Sequence, residues 1–125
     1  MVKSIISTVV VALLLICGSI YENNFIQRQF GEFTTVVESL YEKTEDHVAV
    51  TDDVLAVQKS WVEKKRFLHA FIPHTEIKEV DLWLAETIVL VKDKMWSEAL
   101  SKLEVLKELS EQIPKNFLIS WENVL

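Results

Sequence analysis

Apolar residues follow two different patterns along this chain. From Ile5 to Tyr21 the run IISTVVVALLLICGSIY carries no charge and only weakly polar serine and threonine. As a helix, its seventeen residues would reach ~26 Å, the short end of what a bilayer core requires. After Glu22 the apolar positions become periodic. Ile26, Phe30, Phe33, Val37 and Leu40 recur three and four apart, the stripe of an amphipathic helix extending to about Thr44. No proline or turn cluster separates that stripe from the apolar run, so one helix can carry both.

Three further helices follow. The polar Glu45-Asp46-His47 marks a turn, and Thr51-Asp52-Asp53 supplies a cap and acids for the next helix start. The second stripe is Val50, Val54, Val57, Trp61, Leu68 and Phe71 or Ile72, and Pro73 ends it. Thr75 is then the expected N-cap of a third helix, striped by Ile77, Val80, Leu84, Ile88 and Val91 and widened by Trp83 and Leu90. A turn at Asp93–Trp96 leads to a fourth helix from Ser97, with Ala99 or Leu100, Leu103, Leu106, Leu109 and Ile113 inward. Pro114 is expected to terminate it, and the apolar tail from Asn116 to Leu125 to fold back onto the bundle. The predicted fold is all-α: one transmembrane helix, then a four-helix bundle of two hairpins. Only two glycines and two prolines in the chain leave too few turn residues for an all-β fold.

Charge adds a topology. Lys3 and the terminal amine flank the short N-terminal side, which places residues 1–4 in the cytoplasm, 5–21 across the membrane, and 22–125 outside as a helical domain. Arg28 weakens that bias from the other side. A cleavable signal peptide cut near Cys17-Gly18-Ser19, or lipidation at Cys17, would use the same residues; Ile16 makes a poor lipobox. Ser4, Thr8 and Ala12 share a helix face, a spacing that lets membrane helices approach but that any single span tolerates. Lys3 is the only base before Glu22, so the domain sets twelve bases against nineteen acids, a net −7. That balance repels nucleic acid and anionic lipid, and nucleic-acid binding is set aside. Cys17 is the sole cysteine, which excludes an intrachain disulfide and a thiolate metal cluster.

Trp61, the central Phe71-Ile72-Pro73-His74-Thr75-Glu76-Ile77, Ile113-Pro114 and the closing Glu122-Asn123-Val124-Leu125 together resemble the small bacterial membrane proteins of domain-of-unknown-function family 4363. The likeness runs over nearly the whole chain. It implies a membrane-anchored helical protein and brings no activity with it. Trp96-Ser97-Glu98-Ala99-Leu100 is similar to a tetratricopeptide helix start, but one match without the diagnostic glycine establishes no repeat.

Little in the sequence carries chemistry. His69, His74 and Glu76 are the nearest approach to a metal-ligand set, with Pro73 between the histidines and no fourth ligand. The competing account makes Pro73, His74, Thr75 and Glu76 a structural corner whose side chains satisfy helix ends. Trp61, Trp83, Trp96 and Trp121 could line a ligand groove, though aromatics at helical spacing more often fill a core. Glu63-Lys64-Lys65-Arg66 fits a solvated helix face, with a membrane-surface role as the other reading. No phosphate loop, nucleophile elbow or Cys-His pair appears. The expectation is a noncatalytic, cofactor-free accessory module held at the membrane, with a protein partner that could itself be a membrane protein. A small-ligand or metal-binding sensor domain is the alternative.

Overall fold

The computed structural model describes the backbone of residues 1–124 and the side chains of residues 1–118. Four helices, α1 (Val2–Glu45), α2 (Thr51–Leu68), α3 (His74–Lys92) and α4 (Trp96–Val124), account for nearly all of it, with no strand among the described residues. α1 is unbroken through the apolar run and into the bundle. Its 44 residues reach ~66 Å at the α-helical rise.

Each helix packs on two others, α1 on α2 and α4, and α3 on α2 and α4. The four therefore close an up-down-up-down bundle. The stripes meet at its centre: Ile26, Phe30, Phe33, Val37 and Leu40 of α1 face Val54, Val57, Trp61 and Leu68, then Ile77, Val80, Leu84 and Val91, then Ala99, Leu103, Leu106 and Ile113. Val50 departs from the expected stripe. It is exposed because it precedes α2 as N-cap in extended conformation, and its N–H donates to Asp53 Oδ2 at 2.9 Å.

The turns after α1 and α3 are built alike. Val48 N–H bonds Lys43 O and His47 N–H bonds Thr44 O; Met95 and Lys94 repeat the arrangement on Leu90 and Val91. These are Schellman closures, which put the residue after the C-cap in the left-handed region. Glycine would sit there at no cost, yet the chain uses His47 (φ 59°) and Lys94 (φ 57°). The His47 ring stacks on Trp96, centroids 5.2 Å apart and 8° from parallel, which joins the two turns at one end of the bundle. The exposed Lys94 side chain makes no such contact, so Lys94→Gly is expected to stabilise the fold by about 1 kcal/mol, the lower end of the left-handed penalty. Urea unfolding measures it, and a destabilised variant would contradict the strain argument.

Three expectations about helix ends fail. Thr51 does not cap α2; it is the first residue of that helix, with Val50 as N-cap. Thr75 is not the cap of α3; the helix starts two residues earlier than that cap implies, at His74, with Pro73 as N-cap. Pro73 sits at φ −55°, ψ 141°, so its carbonyl already accepts from Glu76 N–H and Ile77 N–H and no side chain is needed. Pro114 does not end α4, which continues to Val124 instead of turning back. Proline forfeits one backbone bond, to the Ser110 carbonyl, and crowds the preceding turn. Against that, Ile113 and Pro114 are buried, Phe117 packs on the core, and Gln27 Nε2 donates to the Pro114 carbonyl at 2.9 Å. Continuing the helix keeps Phe117 on the face that Ile113 occupies. The expected fold-back of Trp121 and Leu125 concerns side chains outside the described residues.

Candidate functional site

The end of the bundle nearest the apolar run gathers the features with most chemical character. α1 enters it through Phe25, whose ring lies 6.4 Å from that of Phe67 and 6.3 Å from that of Phe71. Arg28, one turn on, places its guanidinium carbon 6.0 Å from the Phe25 ring centroid. Phe67 closes the last turn of α2 because Leu68, its neighbour, takes the inward position; Phe67 itself is 58% exposed. The corner 69–73 then crosses to α3. Both histidines sit there, exposed, with rings stacked 5.8 Å apart.

Glu76 lies on the inner side of this corner and is half-buried. Burial pushes its carboxyl above the ordinary glutamate range, the polar Asn116 side chain of α4 opposes that, and the nearby Glu79 charge adds to it. The corner thus meets α4 where Glu76 lies near Asn116, and α3 begins with no side-chain cap from His74 or Thr75. His69 and His74 approach each other, but no group of three or more His, Cys, Asp or Glu side chains among the described residues is placed to hold a metal ion.

The other sequence-singled residues are scattered. Trp61 is buried against Phe30 and Phe33, and its Nε1 donates to Asp81 Oδ1 at 2.7 Å. Lys65 reaches the same carboxylate at 3.1 Å. Trp83 and Trp96 pack on the core from its edge, Trp83 beneath the Lys102 ammonium at 4.6 Å. The four tryptophans do not line one groove: these three occupy separate places, and the Trp121 side chain is outside the described residues. Within the mixed-charge run, Lys64 pairs with Glu32 at 2.6 Å, and its hydrogen bond holds that carboxyl below the usual range. Arg66 makes no ion pair with a described side chain. At the opposite end, Asp53 is likewise held low by Lys43 and by the Val50 N–H.

A shallow groove of about 430 Å³ runs between α3 and α4, floored by Ala85, Val89 and Leu90. The Lys102–Glu86 ion pair at 3.2 Å crosses it. It is open and mostly apolar, and the side chains lining it form no acid–base pair with a nucleophile.

Residues 20–124 match the family described as a domain of unknown function, DUF4363. The chain belongs to that family. No curated protein and no solved structure matches it. The DUF4363 match begins just before the apolar run ends, so the domain includes all four bundle helices and the α1 segment that leads into them. Its Phe25–Phe67–Phe71 cluster was not legible in advance. Phe67 lies one residue off the inward stripe, and the pairing of Phe25 with α2 needs the bundle to exist. The available signal was Phe67 and Phe71, four apart, beside Arg66.

Proposed function

We propose that this protein is a membrane-anchored, noncatalytic accessory module that holds an acidic helical bundle at the outer face of the membrane and presents it to a partner protein. The supporting observation is α1. Its N-terminal part is long and apolar enough to cross a membrane, none of that stretch is buried against the rest of the chain, and the same helix continues into the bundle core. In water that surface would be costly. Its hydroxyls fit an apolar surrounding, since Thr8 and Ser19 each donate to the helix carbonyl four residues back, Ser4 and Leu15, at 2.9 Å.

Lys3 on the short side favours export of the bundle. The absence of a catalytic signature in sequence makes interaction the reading that uses what the protein has. The sensor alternative would need His69, His74, Glu76 and the tryptophans to converge, and Trp61 lies in the core with its N–H already bonded.

The test is a pair of reporter fusions after Leu125. An alkaline phosphatase fusion should be active and membrane-bound, and a cytoplasmic reporter at the same place inactive. The reverse pair overturns the orientation, and a phosphatase fusion recovered free of membranes overturns the anchor. Crosslinking in intact membranes tests the role, with a reproducible adduct lost on bundle surface substitutions expected, and only self-adducts or none counting against it.

A further inference from the structure

We propose that the near end of the bundle is a lipid-headgroup docking surface, in which Phe25, Phe67 and Phe71 enter the interface and Arg28 and Arg66 bind lipid phosphate. The inference rests on the anchor reading and adds a second, peripheral contact with the same membrane.

Position comes first. Phe25 lies four residues past Tyr21, ~6 Å along the helix axis. The headgroup layer beyond the hydrocarbon core is itself about 5–7 Å thick. Since Phe67 and Phe71 are in ring contact with Phe25, all three aromatics fall at headgroup depth once the apolar run spans the core. Aromatic rings are enriched at that depth. Phe67 is 58% exposed, a large apolar surface that the fold leaves uncovered beside the membrane.

Charge supplies the second argument, because the bundle is electrically polarised along its length. The segments at the near end, residues 22–28, 64–78 and 111–124, hold six bases and four acids. The far turns, residues 42–53 and 92–98, hold seven acids and three bases. The net −7 of the domain thus hides a local reversal that faces an anionic surface with its positive end. Most near-end bases are engaged or remote from the rings, Lys64 with Glu32 and Lys65 with Asp81. Arg28 and Arg66 are exposed and flank the phenylalanines; neither makes a close ion pair with a described side chain, although the Arg28 charge also acts on Glu32. Guanidinium suits phosphate because it can offer two parallel N–H donors.

The experiment uses the full chain with Cys17→Ser and one probe cysteine, either His69→Cys at the near end or Lys94→Cys at the far end. Each carries an environment-sensitive fluorophore. The chains are reconstituted in phosphatidylcholine vesicles and in phosphatidylcholine–phosphatidylglycerol vesicles, with a headgroup spin-labelled lipid as quencher. Quenching should be strong at position 69, stronger with phosphatidylglycerol, and weak at position 94. Proximity imposed by the span alone would not respond to the docking residues, so variants decide. Arg28→Gln and Arg66→Gln should each lower the docked-to-undocked ratio about fivefold in the anionic vesicles, and Phe67→Ser should lower it in both kinds. Unchanged quenching at position 69 in those variants, with unchanged helical circular dichroism, overturns the docking surface while leaving the anchor standing. Failure of the parent chain to float with vesicles overturns the anchor and the docking together.

Discussion

Trp61→Ala should cost about 3–5 kcal/mol of unfolding free energy, the usual range for truncating a buried aromatic. The residue is 1% exposed, and its ring lies 5.1 Å from Phe33 and 6.4 Å from Phe30. Three helices meet on it: α1 through those phenylalanines, α2 as its own element, and α3 through Asp81. Alanine leaves a cavity and also removes the indole donor from Asp81, which keeps only Lys65. Trp61→Phe separates the two effects. It retains a ring in the core and forfeits the hydrogen bond, so its cost should be nearer 1–3 kcal/mol. Set against a total stability of about 5–15 kcal/mol for a domain, the alanine variant could lose most of its folded population. Chemical denaturation followed by the helical circular dichroism signal measures both. A Trp61→Ala variant within about 1 kcal/mol of the parent would mean that α2 does not seat on α1 through this ring.

The second large effect belongs to the membrane. Leu14→Arg puts a charge near the middle of the apolar run, where insertion costs ~2.5–3.5 kcal/mol. Partition into the bilayer should fall by roughly a hundredfold. The fraction of chain resistant to alkaline extraction reports it. Tyr21→Arg, at the edge of the run, should change that fraction little, because a long cation there reaches the interface. Leu14 touches nothing in the bundle and is 67% exposed. The unfolding free energy of the bundle should therefore stay at the parent value, since distant sites without shared partners act independently. A chain carrying Leu14→Arg that remains fully integrated would refute the span.

The stripes were readable because burial selects one face of each helix. Ile26 through Leu40 are buried as the 3.6-residue period expects, and α3 departs at one step, where Thr87 is fully buried and the expected Ile88 only partly so. Helix ends were read less well, since their rules describe one side chain and ignore what the backbone does. At Thr75 an extended proline carbonyl replaced the cap. At Pro114 a local breaking rule met a stripe that continues past it: Leu106, Ser110, Ile113 and Phe117 keep three- and four-residue steps, whereas Ile72 to Ile77 breaks step. That contrast between the two Ile-Pro pairs was present in the sequence and outweighs the proline itself. The near-end cluster was harder still. Phe25, Arg28, Phe67 and Phe71 lie on two helices and a corner, and only the antiparallel return of α2 brings them together.

Because α1 has no joint between its apolar part and the bundle, the bundle has no heading independent of that run. Inserting one residue between Tyr21 and Phe25 would swing everything beyond it by about 100° and lift it ~1.5 Å. On the anchor reading, the compass bearing of each outer face, the α3–α4 groove included, would follow the side of the apolar run that packs within the bilayer. A twist applied to the apolar run would arrive at the far turns as a twist, so an anchor built this way would also be a crankshaft.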